Sequence, residues 1–169
     1  MGCRPVRGRA AGKKGALLLG RLVDERTSVL RRLSYRRGDE VGFGRFLGNE
    51  KVTVEAIFAA EAARLAERVA GLEVLAIQDT SELSFGRQSG GRRGLGPVAF
   101  GSGRGLLLHP VLVLEAGSGA VLGLAHGEVW TRQGRARADY QAQPIEEKES
   151  YRWLAGGAAA KAVLAKARR

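Results

Sequence analysis

The chain holds one cysteine, Cys3, which excludes an internal disulfide and, with no second thiol, a cysteine-based zinc site. It also lacks a long apolar run. Residues 16–19 are the apolar part of the opening segment, too few for a membrane span or a secretory signal core. Acylation at Met1-Gly2-Cys3 is not expected, because Val6 stands where the motif needs Ser or Thr. These absences point to a cytoplasmic protein with no membrane partner. Three chemical signatures are missing as well: there is no GxxxxGK[ST] phosphate loop, no HExxH zinc motif and no GxSxG nucleophile elbow.

What the chain has in excess is positive charge. Its 28 Lys and Arg outnumber 17 Asp and Glu, for a formal charge of +11, while 44% of residues are hydrophobic. That balance describes a folded basic protein rather than a disordered basic tail. A polyanion such as DNA is the natural partner, since binding it releases condensed counterions; general basicity from an arginine-rich genome gives the same total. A length of 169 residues suits one domain with a sizeable core, or a helical module joined to part of a larger fold.

Residues 1–15 carry Arg4, Arg7, Arg9, Lys13 and Lys14 with no acid, and are expected to form a basic disordered arm. Apolar residues then recur at helical spacing from Leu17 to Leu33, predicting one or two short amphipathic helices. Arg31, Arg32, Arg36 and Arg37 follow as a basic patch, suited equally to a solvated helix end and to phosphate contact. The clearest helix signal is Thr53 as N-cap, with Val52 able to pack on Ile57 as a hydrophobic staple. Phe58, Ala62, Leu65 and Val69 continue one apolar stripe, and Gly71 is placed to end the helix. Residues 16–71 are thus expected to be a helical module.

Residues 74–77 read as a short, buried central strand with Asp79 at its exit. The next twenty residues, 86–105, contain eight glycines and Arg87, Arg92, Arg93 and Arg104, a composition able to lie against a DNA backbone or simply to flex. Residues 106–115 and 120–130 predict a hairpin about Gly117-Ser118-Gly119, with Pro110 demanding an edge position or a bulge. Residues 132–143 form a polar connector, and 146–167 predict a helix weakened by Gly156-Gly157 unless close packing requires them. No repeat is present. The order of elements predicts an α+β fold.

Asp79 is the candidate metal ligand, though two-metal phosphoryl transfer needs several carboxylates on neighbouring elements. None of Glu82, Glu115, Glu128, Asp139, Glu146, Glu147 or Glu149 has a spacing that compels it to join Asp79, which could equally cap a turn through Thr80 and Ser81. His109 and His126, on predicted strands, suit packing or a hydrogen bond to a carboxylate better than metal ligation.

Several blocks resemble the IS4-type transposases, the group that includes the Tn5 transposase. FLGNEKVTVEAI at residues 46–57 is similar to the end of their N-terminal DNA-binding module. LAIQDTS at 75–81 resembles the strand bearing their first catalytic aspartate. LHPVLVLE at 108–115 and GLAHGEVWTR at 123–132 resemble the following hairpin, and EKESYRWL at 147–154 the entry to the next helix. The blocks occur in family order from residue 46 to 169; residues 17–45 agree only loosely.

The resemblance implies an RNase H-like core with a DDE triad and two Mg²⁺ or Mn²⁺ ions, in which Asp79 is the first aspartate and a metal ligand. It places the family's second aspartate and final glutamate beyond residue 169. The expectation is therefore an N-terminal helical module (16–71) followed by an incomplete RNase H-like core with a mixed sheet (72–169), without a competent two-metal site. Such a truncated transposase would bind DNA, including insertion-element terminal repeats, and would be nucleoid-associated. It would not cleave or transfer strands alone, and its protein partners would be itself or full-length transposase. The alternative is a noncatalytic nucleic-acid-binding or transposase-interacting regulator. The DNA contacts expected are Arg31, Arg32, Arg36, Arg37, Arg87, Arg92, Arg93 and Arg104.

Overall fold

A computed structural model describes residues 9–85, 94–98, 103–132 and 143–167. These form five α-helices and five strands of one antiparallel sheet. The chain divides into two compact units, Met1–Ile57 and Phe58–Arg169. The division falls inside a helix rather than at residues 71–72, because the C-terminal part of that helix supplies Leu65 and, just past its end, Val69 to the core of the second unit.

In the first unit, α1 (Arg9–Glu25), α2 (Leu30–Leu33) and α3 (Arg37–Leu47) enclose Leu18, Leu33 and Phe43, with Leu22, Leu30 and Phe46 packed around them. The helix begins within the stretch expected to be a disordered arm. Ala10, Ala11, Lys13, Lys14 and Ala16 are helix formers, and Lys14 is held by Asp39 at 3.4 Å. Residues 1–8 lie outside the described residues. Asp39, in the first turn of α3, also accepts a 2.9 Å bond from Arg21 Nη1. That guanidinium, with Lys14, holds the Asp39 carboxyl below its usual range and secures a glycine-rich helix that propensity alone disfavours.

Helix α4 (Val54–Arg68) starts at the expected cap: the Ala56 amide donates to Thr53 Oγ1 at 3.1 Å. Gly71, at φ 75°, turns the chain after it. Leu65 and Val69 are buried as the stripe requires, but Ile57 is 55% exposed, so the staple is not what packs it.

The sheet of the second unit consists of β1 (Val74–Gln78), β2 (Ser81–Ser84), β3 (Gly96–Pro97), β4 (Arg104–Glu115) and β5 (Val121–Trp130), all paired through β4. Every pairing is antiparallel, correcting the expected mixed sheet. A parallel pair needs a crossover, and α5 (Tyr151–Lys166) leads to no further described strand. β1 and β2 share one register: Gln78 faces Val111 and Ser81 faces Leu108, three residues further along both chains. They are two halves of one line, interrupted at Asp79 and Thr80. β1 pairs with β4 alone among the described residues, and its Leu75 and Ile77 are 53% and 47% exposed, so it is a half-open flank rather than a buried central strand.

β4 alternates strictly. Gly105, Leu107, His109, Val111 and Val113 are buried, while the leucines between them are only half-buried. The covered face packs on Leu65 of α4, Val69 just past its end and Ala160 of α5. Gly117-Ser118-Gly119 makes the predicted hairpin turn: Glu115 accepts the Gly117 and Ser118 amides at 2.9 and 2.6 Å, and Gly119 takes φ 71°. Pro110 lies inside the central strand and not at an edge. It faces Gly127 on β5 and, by register, Asp79 on the other side, where the ladder is interrupted; proline has no N–H to donate there.

Candidate functional site

Asp79 is exposed at the interruption between β1 and β2, and its Oδ1 accepts the Thr80 amide at 2.7 Å. Of the two partners considered for a capped turn, Thr80 alone is bonded to Asp79, and the chain makes no turn there: it continues in register from β1 into β2. By strand alternation Asp79 shares the less covered face with Leu75, Ile77, Ser81 and Leu83, and with Leu106, Leu108, Pro110, Leu112 and Leu114 of β4. Asp79 is the sole acid in that set.

On the opposite face, His109 is 1% exposed, the one buried polar side chain among the described residues. Its Nδ1 lies 2.8 Å from Thr80 Oγ1 and its Nε2 3.2 Å from Gln78 Oε1. Gln78 Nε2 in turn donates to the Trp153 carbonyl at 3.2 Å. Since that carbonyl only accepts, the amide network orients Gln78 Oε1 toward the ring. His109 is then the neutral Nε2–H tautomer, with Nδ1 accepting the Thr80 hydroxyl. Burial holds its pKa below the ordinary histidine value; Glu128 opposes the shift and His126 adds to it. The Trp153 ring meets the imidazole edge-on at a centroid distance of 5.3 Å. Gly156 closes the pocket: a Cβ there would come 2.9 Å from Gln78 Oε1 and 3.2 Å from Val111 Cγ2. Close packing thus accounts for one glycine of the pair, while Gly157 has room. Of the two roles expected for it, His109 takes packing: it is buried against Trp153 and bonds two neutral side chains and no carboxylate.

Of the other acids, Glu82, Glu115, Glu128 and Glu149 are engaged elsewhere, while Glu146 and Glu147 are exposed. Arg132, just past β5, binds Glu82 of β2 and both oxygens of Glu149. Arg152 of α5 binds Glu128 at 3.0 Å and lies 4.0 Å over the Trp130 ring. Among the described residues no three His, Cys, Asp or Glu side chains are grouped to hold a metal ion. A two-metal centre does not fit the described donors, since Asp79 brings one carboxylate into an apolar surrounding. Asp139 lies outside the described residues.

The basic candidates separate into three groups. Arg31 and Arg32 on α2, Arg36 before α3 and Arg37 at its start are all exposed. None of these four forms an ion pair with a described residue. Arg104, at the start of β4, is exposed but donates from Nε to the Leu95 carbonyl at 3.1 Å and from Nη2 to the same oxygen. Arg87, Arg92 and Arg93 lie outside the described residues. Sequence reasoning named Thr80 only as a turn partner of Asp79 and gave Gln78 and Trp153 no role at the site; the signal available was that Gln78 and Thr80 flank Asp79 and alternate onto the face opposite to it.

No helix among the described residues is long and apolar enough to cross a membrane. No family model matches the sequence.

Proposed function

We propose that these 169 residues are a DNA-binding portion of an IS4-type transposase, with a helical DNA-binding module, part of an RNase H-like core, and Asp79 as the first metal-binding aspartate. The observation that carries this is Asp79 at the exit of β1, on a flank of the β4–β5 hairpin, with α5 packed across the covered face. That is the order of strand, hairpin and helix in the blocks resembling the family. The described residues supply one carboxylate at the site, so the activity assigned to the chain by itself is DNA binding without strand cleavage. Insertion-element terminal repeats are the DNA partner this implies, in the cytoplasm at the nucleoid. Mg²⁺- or Mn²⁺-dependent cleavage and strand transfer belong to intact relatives.

A second proposal, a noncatalytic regulator that binds nucleic acid or associates with transposase, is favoured by the four exposed guanidiniums at Arg31, Arg32, Arg36 and Arg37, whose use needs no carboxylate.

The test is binding and cleavage of labelled terminal-repeat DNA over a salt series with Mg²⁺ or Mn²⁺. Affinity that falls steeply with salt, with no cleavage, is expected. Salt-independent affinity would overturn the electrostatic mode, and cleavage abolished by Asp79→Ala would overturn the noncatalytic assignment. Suppression of full-length transposase by the added chain would select the regulator.

A further inference from the structure

The two residues flanking Asp79 are bound to the same imidazole. Gln78 takes one nitrogen of His109 and Thr80 the other, at the point where the β1–β2 line loses its ladder opposite Pro110. With both neighbours held on the covered face, Asp79 is turned to the other one. The ring is itself fixed by Trp153 and by the close approach of Gly156. Thr80 also carries the bond that orients the carboxylate, its amide donating to Asp79 Oδ1 at 2.7 Å.

We propose that His109 is a positioning residue for Asp79: its ring replaces the missing ladder and, through Thr80, aims the carboxylate. The functional meaning rests on Asp79 being the metal-binding aspartate, but the clamp is tested without metal or DNA. A carboxylate at a break in a strand would sample several rotamers, whereas metal chemistry needs it held in one. The clamp acts from the covered face and leaves Asp79 on the open one, where the Thr80 amide is its one hydrogen bond among the described residues. His109 acts here as a neutral hydrogen-bond bridge, with Gln78 and Thr80 the side chains on its two nitrogens.

The experiment is heteronuclear NMR on the full chain near pH 7.5. Long-range ¹⁵N correlations of His109 are expected to show the Nε2–H tautomer, and three-bond couplings a single Asp79 χ1 rotamer. Thr80→Val removes the hydroxyl at nearly constant shape; it should average the Asp79 rotamer and speed Thr80 amide exchange by about fivefold, the effect of losing one hydrogen bond. Thr80→Ser keeps the hydroxyl and should retain the wild-type values. An Nδ1–H tautomer, an averaged Asp79 in the wild-type chain, or an unmoved rotamer in Thr80→Val would each overturn the proposal. Should Thr80→Val fail to fold, the wild-type tautomer and rotamer decide it. Loss of DNA binding in the separate titration would reject the transposase assignment while leaving these readouts intact.

Discussion

Arg132 holds Glu149 with two arms of its guanidinium, Nε on Oε1 at 2.8 Å and Nη2 on Oε2 at 2.9 Å. Its third nitrogen binds Glu82, so one side chain joins β2, the end of β5 and the approach to α5. The Arg132 bond is the leading cause of a Glu149 pKa below the usual carboxylate range. The planar fork makes this geometry, and a lysine ammonium cannot reproduce it. Arg132→Lys is expected to destabilise the fold by about 1 kcal/mol in urea unfolding, a figure discounted for the partial exposure of the pair.

Lowering the pH should weaken the fold through His109. Its folded pKa lies below the ordinary value of 6.5, so below about pH 6.5 the unfolded chain takes up a proton that the folded chain resists. The contribution is fully present above that pH and is lost as the pH falls toward the folded pKa. His109→Gln should flatten this part of the stability curve, measured by thermal unfolding between pH 7.5 and 5. An unchanged slope would show that the ring protonates without cost.

Glycine substitutions separate tight positions from open ones. A Cβ at Gly105 would lie 2.2 Å from the Leu83 carbonyl oxygen, a backbone atom that cannot step aside. Gly105→Ala should cost about 3 kcal/mol by forcing apart β2 and β4. A Cβ at Gly127 meets the Phe58 ring at 2.3 Å, so Gly127→Ala should be rescued in large part by Phe58→Leu in a double-mutant cycle. In α1, Gly20 has nothing within 4 Å of its Cβ, and Gly20→Ala should stabilise by about 0.5–1 kcal/mol. Chemical denaturation of the three variants checks the order.

Replacing Arg31, Arg32, Arg36 and Arg37 together by alanine removes four exposed positive charges. The slope of log affinity for DNA against log salt should become shallower by up to about 3–4 if each contacts one phosphate. Fluorescence anisotropy over a salt series measures it. An unaltered slope would place the phosphate contacts elsewhere.

Where a residue's chemistry acts locally, the sequence was informative. Thr53 caps α4, Leu65 and Val69 are buried on its stripe, and the Gly117–Gly119 turn closes the hairpin. Helix α3 escaped because Gly38, Gly42 and Gly44 obscure its pattern, and what supports it, the Arg21 bond to Asp39, spans eighteen residues. Pro110 is not at an edge, but β5 shifts register between Val111 and Leu112, one residue beyond it; which of the two settings it takes depends on the neighbour its missing N–H faces, a property of the pairing rather than of the run. The exposure of Leu75 and Ile77 likewise depends on how many strands flank β1. At the site, Asp79 stood out as an acid at a strand exit, but the clamp beneath it joins Thr80 to His109 across 29 positions. No local spacing encodes that.

The interruption at Asp79 and Thr80 has a parity. Because β1 and β2 keep one register across it, the connecting segment matches Pro110 and His109 of β4 residue for residue. A single insertion or deletion there would reverse the facing of β2 against β4, sending Leu83 toward the covered side and carrying Glu82 away from Arg132. A change of length at this point therefore needs either a step of two or a bulge of the kind β5 makes opposite Val111 and Leu112, a restriction imposed by the sheet and independent of any chemistry at Asp79.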